Sequence, residues 1–359
     1  MAKNGNSGAC LTIDLAALKQ NYQALTEKLF SAKLAAVVKA NAYGLGVKEI
    51  ATALSRLGCS KFFVASLEEG VELRHILPKA QIYILHGVLT GTAKDLVANS
   101  LIPVLNSLEQ IQSWQPHAKH TTALHIDTGM SRLGLTPEEC KKSQVLRLNN
   151  IDLVMSHLAC AEDKSHPKNL EQITLFERLR NSIKSKHASL AASSGIFLGS
   201  NYHFDLCRAG ISLYGINPTP LSENPLTRVI SLQAKIIQIR CVDTPQTVGY
   251  GATHHVRRHT KIATLAIGYA DGYMRSLGNS GIAYIEDYKV PVVGRISMDL
   301  TTVDVTAVPD SVLSSHTMVD LIGPNNPIDE IANQAGTISY ELLAGLGNRI
   351  ARNYQFGKE

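Results

Sequence analysis

Leu34–Ser66 reads LAAVVKANAYGLGVKEIATALSRLGCSKFFVAS. The apolar run Leu34–Lys39 predicts a strand, Val47–Leu57 carries helical periodicity, and Phe62–Ser66 predicts a second strand, so one stretch holds a whole strand–helix–strand unit. The rhythm continues outward. Further strands are predicted at Ile82–His86, Ile102–Leu105, Ala123–Asp127, Leu153–His157, Ala188–Ala192 and Cys207–Leu213, with crossover helices at Gly91–Val97, Ser107–Trp114 and Lys168–Ile183. Eight parallel strands joined by helices predict an α/β chain with an N-terminal (β/α)8 TIM-type barrel.

Polar residues recur at the ends of these apolar runs: Lys39 closes VVK, Asp127 closes ALHID and His157 closes LVMSH. Barrels of this type build their active sites at the C-terminal ends of the strands. Taken singly, any such residue is better read as a plain strand terminator. After about Pro225 the pattern changes: Leu232–Val242, Ile262–Ile267, Ile282–Val293, Thr302–Val305 and Met318–Ile322 alternate or run apolar between turn residues, which predicts a mainly antiparallel β domain. The expected division is a flexible N-terminus at 1–10, the barrel at 11–225 with a helix-like stretch Leu11–Phe30 before its first strand, and the β domain at 226–359.

Composition narrows the class of function. The chain has 359 residues, 45% hydrophobic and 18% charged, with a formal net charge of +5, which suits a packed globular protein and excludes a disordered one. The basic residues form no stripe, so nucleic acid is not an expected partner. No run of 18 apolar residues and no secretory h-region appears, so neither membrane insertion nor export is expected. Six dispersed cysteines without C-x-x-C spacing read as reduced thiols in the cytoplasm. HExxH, GxxxxGK[ST] and GxGxxG are all absent, and no metal is expected.

The chemistry therefore turns on lysine. A lysine at the end of a buried strand is partly desolvated, which lowers its pKa and frees its amine for a Schiff base. VVKANAYGLG (Val37–Gly46) places Lys39 there, followed by IDTGMSRLG (Ile126–Gly134), SHLACAED (Ser156–Asp163), CRAGISLYG (Cys207–Gly215), VGYGATH (Val248–His254), IGYADGY (Ile267–Tyr273), GRISMD (Gly294–Asp299) and ISYE (Ile338–Glu341). In this order, and over nearly the whole length, these motifs make the chain resemble the pyridoxal-phosphate-dependent alanine racemases.

The resemblance implies a barrel followed by a β domain, a head-to-tail homodimer with shared active sites, and interconversion of L- and D-alanine that supplies D-alanine for peptidoglycan. It implies that Lys39 holds pyridoxal 5′-phosphate covalently and acts as one acid/base group, with Tyr250 of a partner copy as the other. Two groups on opposite faces of a planar carbanion give racemisation a symmetrical route. A phenol, titrating near 10, is a poor base at neutral pH and needs a cationic or hydrogen-bonding neighbour, for which His157 and Arg208 are the candidates. By the same resemblance Arg208 meets the pyridine nitrogen. Tyr43, Ser193, the Gly210 and Ile211 amides and Tyr340 hold the phosphate, Arg132 and the Met298 amide hold the substrate carboxylate, and Tyr269 and Asp299 line the entrance. Ser193 and Gly210 follow the seventh and eighth strands, where barrels commonly bind phosphate.

Three positions depart from the family pattern. His125 stands where many members carry a carbamylated lysine that positions the arginine; it either accepts a hydrogen bond from Arg132, itself or through a small anion such as chloride, or is a core histidine. Ala192 replaces a common Asn, and Ser297 a common Cys. Rival readings are a racemase of serine or of broader specificity, a non-catalytic barrel protein that binds pyridoxal phosphate, which would lack the β domain and Tyr250, and a basic amino acid decarboxylase, which would carry acidic substrate motifs.

Overall fold

The computed structural model describes residues 7–356 apart from 143–144, 146–147 and 315. Strand β1 (Ala9–Asp14) opens it, its inward residues Ala9, Leu11 and Ile13 buried in strict alternation. This corrects two expectations. The segment at 9–10 is part of a strand, and the helix α1 (Leu15–Glu27) starts four residues later than the helix-like stretch read from Leu11. The period of two in ACLTID governs up to Asp14, whose carboxylate then accepts the Ala16 N–H (2.8 Å) as a helix cap. Residues 1–6 lie outside the described residues.

Two compact units follow from the contacts: Ala17–Thr227, and the segment from Arg228 together with the residues up to Ala16. The first is a parallel barrel of β2 (Lys33–Val37), β3 (Lys61–Val64), β4 (Gln81–Ile84), β5 (Ile102–Leu105), β6 (Thr122–His125), β7 (Ile151–Met155), β8 (Ser185–Ser189) and β9 (Leu206–Ala209). Its order is β8-β7-β6-β5-β4-β3-β2-β9. The ring is drawn shut where Asp205 donates to the Ala188 carbonyl (3.1 Å) and Arg208 to that of Ala191 (3.0 Å). Crossover helices include α2 (Val47–Arg56), α3 (Leu67–Ile76), α4 (Ala93–Ala98), α5 (Leu108–Trp114) and α6 (Pro167–Arg180). Ser66 and Ser107 cap α3 and α5 by accepting the Glu69 and Gln110 amides.

Phe63, Tyr83, Val104, Ala123 and Leu153 form part of one fully buried cluster. At the N-terminal end of the strands Lys61, Tyr83 and Asp152 hydrogen-bond to one another, so this buried charge pair is compensated locally. Most strands stop sooner than their apolar runs: Lys39, Asp127 and His157 each lie two residues past the strand rather than closing it. Asp127 shows why, since its Oδ1 accepts the Gly129, Met130 and Ser131 amides and so folds its own loop.

The second unit is built on β10 (Ile230–Val242), which pairs antiparallel with β1, β13 (Thr260–Leu265) and β17 (Met318–Ile322). β11 (Gln246–Val248) and β12 (His254–Val256) form a separate hairpin. The run read as Ile282–Val293 is itself a hairpin, β14 (Ile282–Ile285) and β15 (Tyr288–Pro291), reversed at Glu286, whose φ is +50°. β16 (Thr301–Asp304) pairs with β13, and β18 (Ala351–Gln355) lies parallel to β1. Two helices not anticipated from sequence, α7 (Ile328–Ala335) and α8 (Ser339–Ala344), precede β18. Among the described residues no helix is long and apolar enough to cross a membrane.

Candidate active site

Four successive non-glycine residues after Lys39 adopt left-handed conformations: Ala40, Asn41, Ala42 and Tyr43, with φ between 52° and 55°. Such geometry costs L-residues roughly 1–2 kcal/mol each, so the turn must be held by its contacts. Ala42 donates to the Val38 carbonyl (2.9 Å), Gly44 to that of Ala40 (2.8 Å) and Gly46 to that of Asn41 (2.9 Å), while the Asn41 side chain accepts the Val47 amide (2.7 Å). The turn sets Lys39 at its start and Tyr43 at its end. Burial lowers the Lys39 pKa, Arg132 lowers it further, and Glu69 opposes them.

Lys39, Arg132 and Arg208 share one electrostatic neighbourhood with His125 and His157. His157 is pushed down to about 3, first by burial and then by Arg208, Arg132, His125 and Lys39. His125 is pushed down to about 4 by burial, with Arg208 and Arg132 adding and Asp127 opposing. Both rings are neutral at pH 7, and their hydrogen bonds fix the tautomers. Asn106 spends its amide N–H groups on the Leu85 and Val104 carbonyls, so its Oδ1 can only accept, and His125 must donate from Nδ1 (2.9 Å). The lone pair of His125 is therefore on Nε2. Arg208 can only donate, so His157 accepts at Nδ1 (3.4 Å) and carries its proton on Nε2.

Arg208 is 3% exposed, and among the described residues no carboxylate pairs with it. It donates to the Ser189 hydroxyl, to the Ser156 carbonyl (2.7 Å) and to the Leu190 carbonyl (3.3 Å). Burial pushes its pKa down to about 10. Nearby, the Ser193 hydroxyl accepts the Gly210 amide (3.0 Å), the Ser212 amide (3.3 Å) and the Ser212 hydroxyl (2.9 Å). A Cβ on Gly210 would come within 2.5 Å of the Tyr43 hydroxyl, so only glycine allows that approach. The Ile211 amide, first in a short 3₁₀ turn, has no protein acceptor among the described residues. Burial pushes the Tyr43 phenol up to about 12, so it is a hydrogen-bonding hydroxyl rather than an anion.

The neutral histidines carry a pH signature. The folded-state pKa of His125 lies below its ordinary 6.5, so this part of the stability is complete above about pH 6.5 and is lost as the pH falls toward 4. The shift corresponds to about 3 kcal/mol. Trp114, the single tryptophan, is fully buried in the Ala17–Thr227 unit and reports on that unit alone. The urea midpoint followed by Trp114 fluorescence is expected to fall steeply between pH 6.5 and 4, and less steeply in His125→Asn; equal slopes would contradict the assignment.

The β unit carries the remaining residues. Tyr250 lies in the connection between β11 and β12 and is 72% exposed. Tyr269 and Met298, 42% and 54% exposed, are brought together: the Tyr269 amide donates to the Ser297 carbonyl (3.0 Å) and the Ala270 amide to that of Met298 (3.0 Å). Gly268 makes this possible, since a Cβ there would meet the Met298 and Ser297 carbonyl oxygens at 2.4 Å. Arg349 locks the pair by donating to Asp271 and Asp299 (2.8 Å each). Asp299 is thus an ion-paired loop carboxylate. The Met298 amide points at no protein acceptor among the described residues, and Tyr340 lies in α8. Sequence reading missed Glu69, Asn106, Ser189 and Arg349. For Glu69 a signal existed, the Ser66-x-x-Glu69 spacing of a capping box.

The alanine racemase N-terminal domain family matches residues 13–218, and the alanine racemase C-terminal domain family matches residues 229–354. The chain belongs to the alanine racemase family. An alanine racemase of Rhodospirillum rubrum is 46% identical, with 99% of this chain and 98% of that protein aligned. A biosynthetic alanine racemase of Agrobacterium fabrum is 44% identical over 96% of this chain and 93% of that one. The crystal structure of alanine racemase from Bartonella henselae with covalently bound pyridoxal phosphate superposes with a TM-score of 0.93 at 39% identity, covering 98% of this chain and all of that one. The protein is thus an amino-acid racemase, and alanine racemases share its fold of a parallel barrel and a mainly antiparallel β unit.

Proposed function

We propose that this racemase interconverts L- and D-alanine with pyridoxal 5′-phosphate bound at Lys39, and that it works as a homodimer in which Tyr250 completes the partner's site. The observation that carries the reading is Arg208: a buried guanidinium with no carboxylate partner among the described residues, in one electrostatic cluster with Lys39, fits a neutral ring nitrogen as its acceptor. When bound, the cofactor supplies the electron sink that makes the substrate Cα proton removable. Within the barrel unit the Tyr43 hydroxyl, Ser193 and the Gly210 and Ile211 amides would hold the phosphate, for which the Ile211 N–H, without a protein acceptor among the described residues, is a ready donor.

Lys39, its basicity lowered by burial and by Arg132, would give up a proton more readily than an exposed lysine, which suits an acid/base group. Tyr250 of a partner copy would serve the opposite face, and the His157 Nε2–H is the donor that would hydrogen-bond its oxygen. Arg132 and the open Met298 amide would take the substrate carboxylate, with Tyr269 beside them at the entrance. His125 would orient Arg132 by accepting at Nε2, directly or through a small anion. The product D-alanine fits supply of peptidoglycan synthesis in the cytoplasm.

Purified holoenzyme is expected to form D-alanine from L-alanine, with serine turned over about 10–200-fold less efficiently. Absence of D-alanine would overturn the reading. In the same assay His125→Ala should raise KM for alanine more than it lowers kcat; unchanged KM and an unchanged response to chloride would remove His125 from the positioning role.

A further inference from the structure

Glu69 lies in the first turn of α3, on no motif assigned above, yet its carboxylate spans the ends of two barrel strands. Oε1 accepts the Ala40 amide (2.6 Å) and Oε2 accepts the Ala65 amide (2.7 Å). Ala40 is the first left-handed residue after Lys39, and Ala65 is the residue after β3. We propose that Glu69 is the positioning residue for Lys39, gripping the amide that begins the left-handed turn and so fixing where the lysine projects. The proposal rests on the reading of Lys39 as the cofactor lysine.

Helix capping alone does not account for the arrangement. Ser66 already caps α3 by accepting the Glu69 amide, and the Oε2 bond to Ala65 completes a local turn around that cap. The Oε1 bond runs 29 residues back along the chain and contributes nothing to α3. It does contribute to the turn, whose other internal bonds begin at Ala42 and beyond. Bonds to a carboxylate are the stronger class, and a bidentate carboxylate fixes orientation as well as distance. The charge matters too. Lys39 faces Arg132, which disfavours its protonated form, and Glu69, which favours it; His157 in turn feels the charge of Lys39.

The test compares Glu69→Gln, which keeps the shape but removes the charge and one acceptor, with Ser66→Ala, which removes the cap of the same helix. In the holoenzyme Glu69→Gln is expected to lower kcat about tenfold or more while leaving KM for alanine little changed. In the cofactor-free protein, the pH midpoint for labelling Lys39 with trinitrobenzenesulfonate, read by peptide mass, should move to lower pH. Ser66→Ala should lower the urea midpoint yet keep the parental kcat and labelling midpoint. Parental kcat and labelling in Glu69→Gln, or the same changes in Ser66→Ala, would overturn the proposal. Covalent cofactor retained in Lys39→Ala would instead overturn the reading of Lys39 on which it rests.

Discussion

Lys39→Ala is expected to reduce racemisation in both directions by about 10³-fold or more and to abolish covalent retention of the cofactor, while the barrel unit remains folded. One positioned acid/base group contributes about 10²–10⁴-fold, and on the proposed function the same amine would also anchor the cofactor. Both directions fall together because a proton removed on one face must be replaced on the other. Folding should survive because burial and Arg132 both disfavour the Lys39 ammonium, so its removal relieves a cost. A parental urea midpoint by Trp114 fluorescence, together with lost activity, is the expected pair. Tyr250→Phe provides the complementary arm: a full rate in both directions would remove the second acid/base group from the scheme, and residual Cα proton exchange from one enantiomer alone would show which face each group serves.

The architecture was legible because local and global signals agree. Apolar runs of four to seven residues, alternating with helical periodicity, are what a parallel barrel buried on both faces requires. Ile102–Leu105 and Met318–Ile322 appear in the structure with the bounds read from sequence. Three features were not legible, each for a physical reason. β1 precedes a helix and pairs with β10 and β18, more than two hundred residues away, and no local pattern encodes such a partner. The left-handed turn at Ala40–Tyr43 runs through residues whose propensities favour right-handed geometry; tertiary contacts override them, as expected where strain is concentrated at a functional site. The roles of Asn106 and Glu69 depend on which atoms remain unpaired after folding. Asn106 fixes the His125 proton only because its own amide is spent on two carbonyls. Lys39 and His157 lie two residues past β2 and β7, His125 ends β6 and Arg208 lies within β9, and the charges of Lys39, Arg132, Arg208 and His125 all act on His157.

Arg208→Met is expected to separate function from stability. Burial costs the guanidinium about 3 kcal/mol, judged by a pKa pushed down from 12.5 to about 10, and a methionine of similar length removes that cost. Against this, the Ser189 hydroxyl and the Ser156 and Leu190 carbonyls lose a donor, at about 1–3 kcal/mol each. The terms oppose each other, so the urea midpoint of the cofactor-free protein should fall only modestly. Activity should not be spared: kcat/KM is expected to fall by about 10²-fold or more, the magnitude of one lost preorganised donor. Arg208→Lys sharpens the point. Even at about 10 the guanidinium keeps its proton through the neutral range, whereas a lysine ammonium buried at the same place would titrate close to it and could pass its proton on. A proton passed to the ring nitrogen would then favour transamination, in which the amino group would pass to the cofactor, leaving it as pyridoxamine phosphate, and water would release the carbon skeleton as pyruvate, over formation of the opposite enantiomer. A rise in pyruvate per racemisation event in Arg208→Lys, absent in Arg208→Met, is the expected result. Parental kcat/KM in both variants would show that the buried cation serves the fold alone.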